Sequence, residues 1–422
     1  MSRFRFLHAA DLHLDSPMHG VAAGLPAALA EQVRDASLSA LDRLVELALD
    51  QQVQFVLLAG DLYDGPTRGV RAQVRLAAAL QRLNAAGIDV LIVLGNHDPL
   101  ESTRQSLVLG PRTTLFGADA VTQVEVRRGE QLLATIHGIS FRTRATHENL
   151  AARFRRVGDG FEIGLLHAAL EGASADHSPY APCRLADLQH SRLDYWALGH
   201  IHAGGVLSAS SPTVVYPGCT QGRSFKPSEC GPKGAWVVEV ERGRLTSPPQ
   251  FHPIDAVRFL EAAVDIGALD SPPALCDRLI SAGEKLAAEH PQVTLLVRAR
   301  LQGRGPLNAL LAESRAIPQL LATLRESQPE RDGRLFWCGL IDRTEPALNL
   351  TQLAGRGDLT ACVIDAAQQA DLTALLNGVR AQIPAGLAPV LSRDSLWPQA
   401  EPQLLSRALS LALSKLLETN SR

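Results

Sequence analysis

Five short segments of this 422-residue chain carry side chains able to hold a metal ion. They are Asp11-Leu12-His13, Gly60-Asp61-Leu62-Tyr63-Asp64, Gly95-Asn96-His97-Asp98, Leu166-His167 and Gly199-His200-Ile201-His202. Each sits at what reads as the end of a strand. Charged and imidazole groups there cannot be core packing and must face the crevice outside a sheet. Carboxylate, amide oxygen and imidazole without thiolate suit Mn²⁺, Fe²⁺ or Zn²⁺, and argue against a structural sulfur-rich zinc site. Seven such groups are too many for one ion. They suffice for two ions sharing a carboxylate about 3.5–4 Å apart, the arrangement of two-metal phosphoesterases. Two cations so placed lower the pKa of a water held between them and neutralise charge growing on a phosphate.

Groups so placed need sheets to present them. Phe4 to Ala10, Phe55 to Ala59 and Val90 to Leu94 read as buried strands. Pro26 to Asp50 and Val70 to Ala86 read as helices, the first with apolar residues three and four apart (Leu38, Leu41, Val45, Ala48). Such a β-α-β-α-β series implies a parallel sheet with helices on its faces and ligands at the carboxyl ends of its strands. Asp11, Asp61 and Asn96 each fall within two residues of such an end.

From about Thr113 the strands shorten: Val121–Val126, Leu132–Ile136, Ile163–Leu166, Tyr195–Leu198, Val214–Tyr216 and Ala235–Val240. Together they read as a second sheet packed on the first, and Ser247-Pro248-Pro249 reads as a linker that closes the unit. A smaller β-α-β-α-β set follows, with strands Val257–Val264, Thr294–Leu301 and Leu335–Ile341 and helices Pro273–Glu289 and Leu307–Glu326. The tail from about Glu345 has a helical pattern broken at Pro384–Pro389 and Trp397-Pro398. The expected class is α/β: a two-sheet sandwich flanked by helices over residues 1–250, a small α/β domain over 251–344 and a helical tail over 345–422.

Apolar residues are 46% of the chain and charged residues 20%, which is ample for a core and unlike a disordered chain. The net charge of −3 gives no bulk attraction to nucleic acid, so any such binding must come from a local basic patch or from metal ions. No apolar run exceeds five residues, which excludes a membrane span, and MSRFRFLHAADLHL does not read as a signal peptide. Six cysteines without a CxxC pair fit reduced thiols in a cytoplasmic protein.

Other polar residues take quieter readings. His19, His137, His147, His177, His190, His252 and His290 read as satisfied core or surface residues. His8, three residues before Asp11, is either support behind a ligand or core. Asp15 and Asp64 read as caps outside the site, and Cys219 as a buried free thiol. Seven arginines (127, 128, 142, 144, 153, 155 and 156) face only Glu130 and Glu148 over that stretch. They form either a solvated face or a phosphate-tracking patch beside the metals.

The order D-x-H, GD-x-x-D, GNH-D, H and GH-x-H resembles the signature of calcineurin-like metallophosphoesterases, and FLHAADLHLDSP resembles the SbcD/YhaO-type DNA repair exonucleases. The resemblance implies two divalent ions, Mn²⁺ foremost. Asp11, His13 and His202 would hold one, Asn96, His167 and His200 the other, and Asp61 would bridge them. His97 would face the scissile phosphate, with Asp98 orienting it or supporting the backbone. Residues 251–344 would cap the site. The implied activity is exonuclease cleavage of DNA ends in repair. The alternatives are a phosphomonoesterase or cyclic-nucleotide phosphodiesterase with the same metals, and a non-catalytic DNA-end scaffold.

Implied partners are DNA, an SMC-like ATPase of the SbcC or YhaN kind, and a second copy of the chain, with no membrane. The ATPase would dock through the helix expected from Glu401 to Glu418. That segment sets Leu405, Ala408, Leu409, Ala412, Leu413 and Leu416 in an apolar stripe. The same stripe would equally suit packing on the chain's own surface.

Overall fold

A computed structural model describes residues 3–18, 21, 25–65, 69–103, 107–172, 180–327, 334–346, 350–369, 408–409, 411–413 and 415–417. The chain divides into two compact units, one of residues 1–261, 287–297 and 332–338, the other of residues 262–286, 298–331 and 339–422.

The first unit opens with strand β1 (Arg3–Ala9), helices α1 (Ala27–Arg34) and α2 (Ala36–Asp50), β2 (Phe55–Ala59), α3 (Val70–Ala85), β3 (Asp89–Val93), a short α4 (Leu100–Thr103) and β4 (Thr113–Leu115). Strands β1 to β4 pair in parallel in that order. Then come β5 (Thr122–Arg128), β6 (Gln131–Gly138), β7 (Phe161–His167), α5 (Leu185–His190), β8 (Tyr195–Gly199), β9 (Gly205–Ser208) and β10 (Thr213–Tyr216). They form a six-stranded sheet in the order β5-β6-β7-β8-β10-β9, with β6, β7, β8 and β10 parallel.

Side-chain alternation shows why both sheets read as continuous apolar runs. Phe4, Phe6, Phe55, Leu57, Leu91 and Val93 share one core with Ile136, Ile163, Leu165 and Tyr195 of the other sheet. Leu7, Ala9, Val56, Leu58, Val90 and Ile92 point the other way, into a core with Leu41, Val45, Leu76 and Leu80 of α2 and α3. The outer face of the second sheet (Leu166, Trp196, Leu198, Val214) is likewise covered, by Phe154 and Leu188. A strand buried on both faces has no polar face to show.

The structure departs from the expected layout at several points. Residues 234–241 form β11 (Gly234–Glu241), which joins the first sheet antiparallel to β1. The apolar pattern marks a strand but not its neighbour. After β12 (Arg244–Leu245) the chain passes through Ser247–Pro249 into β13 (Gln250–Pro253), which pairs with β11, so the sheet continues beyond that segment. The helix expected over 26–50 is two helices meeting at Asp35. Leu29 and Val33 of α1 pack with Phe225 and Phe259, whereas α2 packs on the first sheet, and one straight rod cannot face both cores.

Next come β14 (Val257–Asp265), α6 (Pro272–Glu289), β15 (Thr294–Arg304), α7 (Leu307–Leu311), α8 (Ala316–Ser327) and β16 (Leu335–Glu345), the strands pairing in the order β14-β15-β16. The helix expected over 307–326 breaks between α7 and α8. Pro318 lacks an amide hydrogen and is tolerated only in the first turn of a new helix.

In the second unit, α9 (Leu350–Ala354) and α10 (Leu359–Gln369) supply Leu353 and Ile364 to a cluster with Leu413, flanked by Leu409 and Leu417. Residues 408–409, 411–413 and 415–417 are helical. The tail's stripe is therefore covered by the chain's own helices at Leu409 and Leu413. Of the two readings open for the stripe, packing on the chain's own surface is the one that these contacts favour. Leu405, Pro384–Pro389 and Trp397-Pro398 lie outside the described residues, as do His19 and His177. Among the described residues no helix is long and apolar enough to cross a membrane, and all six cysteines are free thiols.

Candidate metal centre

The carboxyl ends of β1, β2, β3, β7 and β8 deliver the five segments to one edge of the sandwich. The loops after β1 and β2 run side by side, with amide-to-carbonyl bonds from Asp11 to Gly60 and from His13 to Asp61 (both 3.0 Å) and from Leu14 to Leu62 (2.9 Å). Asp11, His13, Asp61 and His200 adopt positive φ (51°, 42°, 51° and 104°). Such backbone costs of order 1–3 kcal/mol per residue and persists where surrounding bonds over-determine it. The two sheets approach closely here. A Cβ on Gly60 would lie 2.4 Å from His167 Nδ1, and one on Gly95 would lie 2.8 Å from His167 Nε2.

Hydrogen-bond partners reveal which ring nitrogens carry hydrogens. His167 Nδ1 donates to Ala59 O (2.9 Å), which leaves Nε2 bare. That bare nitrogen faces Asn96 Oδ1 at 3.0 Å and Asp61 Oδ2 at 3.5 Å, both acceptors. His202 Nδ1 donates to Glu229 Oε1 (2.7 Å), and its Nε2 faces His13 Nε2 at 3.2 Å. Asp11 joins both sets: Asp11, His13 and His202 each bring one ligand atom within 4.8 Å of the others, as do Asp11, Asp61 and His167. Asp61 Oδ2 also lies 3.9 Å from His13 Nε2, between the two sets.

Lone pairs pointed at one another in a buried site are costly unless a cation fills the space between them. Burial, with the neighbouring Asp61 charge, holds the Asp11 carboxyl well above its ordinary pKa. The same two causes raise Asp98 to about 7. Burial, with the Arg223 charge, lowers His13 to about 3, and burial also lowers His167, so both rings are neutral and free to bind a cation. The residues fit a dinuclear site.

The first segment of the chain, residues 4–204, matches the calcineurin-like phosphoesterase family model, and residues 259–345 match that of the metallophosphoesterase YhaO middle domain. The uncharacterized metallophosphoesterase YhaO of Bacillus subtilis (strain 168) is 37% identical over 349 residues, covering 82% of this chain and 84% of that protein. The chain belongs to the calcineurin-like metallophosphoesterase family. Similarity to the DNA double-strand break repair protein Mre11 of Aeropyrum pernix is 26% over 51% of this chain and 53% of that protein. Similarity to a component of the nuclease SbcCD of Bacillus subtilis (strain 168) is 25% over 57% of this chain and 67% of that protein. The chain thus spans about half the length of that Mre11.

This metallophosphoesterase uses more residues around its centre than the motifs alone indicate. Asp64, expected to be a cap, accepts from His97 Nδ1 at 2.8 Å and lies 3.4 Å from His13 Nδ1. The adjacent His13 and His97 rings hold its carboxyl far below the carboxylate range. Asp98 supports backbone instead of His97, its two oxygens accepting from Gly95 N (2.9 Å) and Leu62 N (2.6 Å). Burial works against charge on His97, but Asp64 and Asp61 outweigh it and its pKa is raised.

Glu229 and Arg223 lie outside the five motifs. Asp64 could have been found from its spacing in GD-x-x-D. Glu229 carries no local signal, because it reaches the site from a loop 27 residues beyond His202.

His200 sits beside the donor sets. Its backbone amide donates to both Asp11 oxygens (3.2 and 3.1 Å), and its ring stands 5.1 Å from that of His167. Among the described residues its ring nitrogens are not in either converging three-residue set. His8 is core: Nδ1 bonds the Tyr195 hydroxyl and Nε2 bonds Leu198 O, both at 3.1 Å. Cys219 is buried, and burial raises its thiol pKa.

Four of the seven arginines in the run are held by carboxylates. Arg127 pairs with Glu125, Arg142 with Asp119, Arg153 with Glu148 and Arg156 with Asp194. Arg156 also bonds Gly160 O, next to the start of β7, whereas the metal-facing His167 is the last residue of that strand. At about 3.3 Å per residue those ends lie ~20 Å apart.

Proposed function

We propose that this chain is a two-metal-dependent DNA exonuclease that hydrolyses phosphodiester bonds at DNA ends in repair, with Mn²⁺ as its metal. The supporting observation is the convergence of imidazole nitrogens and acceptor oxygens, at His167, Asn96 and Asp61 and at His13 and His202. In this reading Asp11, His13 and His202 hold one ion, Asn96, His167 and His200 the other, and Asp61 bridges. The ions, when bound, supply Lewis acidity and an activated water.

His97 carries no ligand duty. Fixed by Asp64 and, through its amide, by Asp61 Oδ1 (2.9 Å), it faces the phosphate and holds or delivers a proton at Nε2. The likeness to proteins named for DNA break repair and as part of a nuclease supports DNA over small phosphoesters. An SMC-like ATPase partner, implied by the motif resemblance, belongs to the same reading. Residues 1–250 as the nuclease, 251–344 as its cap, a homodimer and a cytoplasmic setting belong to the same reading.

End-labelled duplex DNA, p-nitrophenyl phosphate and its bis-ester, assayed across a metal series, test this. Mn²⁺-dependent shortening of duplex from its ends is expected, with loss in chelator and in Asp61→Ala. Turnover of the monoester alone would move the assignment to a phosphomonoesterase. DNA binding without turnover of any substrate would leave a scaffold.

A further inference from the structure

Behind the donor sets, two carboxylates hold three of the rings: Glu229 on His202, and Asp64 on His97 and His13. One guanidinium joins them. Arg223 Nη1 lies 3.1 Å from Asp64 Oδ2 and 2.9 Å from Ser16 Oγ, whose hydroxyl donates to the same Asp64 oxygen at 2.6 Å. Arg223 Nη2 lies 3.5 Å from Glu229 Oε1, and the Arg223 backbone amide donates to Glu229 Oε2 at 2.7 Å.

The side chain is 13% exposed, so these contacts are not a surface pair that solvent screens away. Asp64 and Glu229 add two negative charges beside Asp11 and Asp61, and Arg223 is the cation set between them. Its loop is held rigidly. Gln221 Oε1 accepts from the amides of Ala256 (2.9 Å) and Val257 (3.2 Å), while its Nε2 donates to Val257 O (2.5 Å). Gly222 packs so closely that a Cβ would stand 2.3 Å from Glu229 O.

We propose that Arg223 is a positioning residue for the phosphoesterase reaction. By holding Asp64 and Glu229 at once, it sets the rings of His13, His202 and His97, tying the first ion's site to the phosphate-facing imidazole. This rests on the two-metal reading above. A planar fork is required, because one ammonium cannot reach both carboxylates in the same geometry.

The test uses the full chain as wild type, Arg223→Met and Arg223→Lys. Mn²⁺ content is measured after desalting, Mn²⁺ coupling by low-temperature EPR, and kcat and KM on duplex DNA. Wild type should hold two ions with a coupled signal. Arg223→Met should lose roughly 10- to 100-fold in affinity for one ion, the scale for removing support behind a ligand, and show an isolated-ion signal. Its kcat should fall with KM little changed, and Arg223→Lys should restore function only in part. If Arg223→Met does not fold, the lysine variant carries the test through its kcat and metal content. Wild-type ion content and kcat in the folded variants overturn the proposal. So does a rise in KM alone, which would make Arg223 a substrate contact. A wild type that binds fewer than two ions overturns the two-metal reading instead, and the proposal with it.

Discussion

His97 differs from the buried His13 and His167 in having a side chain that is 30% exposed, and its Nδ1 is committed to Asp64. His97→Ala should keep both ions and DNA affinity while slowing cleavage by roughly 10²–10⁴, the usual scale for an acid-base group. Metal analysis showing an ion lost from that variant would make His97 a ligand. His8 bears on stability. It is buried and neutral, with burial lowering its pKa from 6.5 to about 3. Below pH 6.5 the unfolded chain takes up a proton that the folded chain refuses. His8's contribution is therefore intact above pH 6.5 and lost as pH falls towards 3, at up to about 1.4 kcal/mol per pH unit. Denaturant midpoints at pH 7.5 and 5.5 should fall less in His8→Gln than in wild type. Equal slopes would assign the acid lability elsewhere.

At the scale of elements, the site depends on how closely two strand ends meet. A Cβ on Gly199, the last residue of β8, would stand 1.9 Å from Ala59 O at the end of β2. That carbonyl also accepts from His167 Nδ1 and so fixes which His167 nitrogen faces a cation. Gly199→Ala should destabilise by roughly 1–3 kcal/mol, the scale of overpacking, and should weaken metal binding as well. Gly205→Ala, where a Cβ meets nothing within 4 Å, serves as the matched control and should do neither. Denaturation and metal titration of the pair read this directly, and equal behaviour of the two variants would remove the close approach as a cause.

For the molecule as a whole, the C-terminal helix is bound up with its own unit. Leu413 is fully buried among Leu353 and Ile364, while Leu411 on the same helix is 56% exposed. Leu413→Ala should cost about 2–5 kcal/mol of that unit's local stability, as large-to-small core changes do. Limited proteolysis should then cut the tail faster, with metal-dependent turnover by the first unit unchanged. Unaltered proteolysis together with lost association with an ATPase would return the stripe to a docking role.

The placement of the candidate ligands at strand ends was legible in the chain itself. Asp11, Asp61, Asn96, His167 and the His200–His202 pair follow apolar runs, and side chains past a buried strand's carboxyl end have nowhere to go but the crevice. The strands of both sheets were legible for the same reason, since burial on two faces leaves an unbroken apolar run. What the chain order could not express was adjacency across the fold. β11 sits beside β1 through a pairing more than 220 residues apart in sequence (Phe4 with Val240), a matter of assembly and not of local pattern. Helix 26–50 breaks because its two halves meet different cores. Asp64, Glu229 and Arg223 acquire their roles only when loops far apart in sequence close on the same rings. Hydrogen bonds and ion pairs act over about 3 Å of space, whatever the separation along the chain.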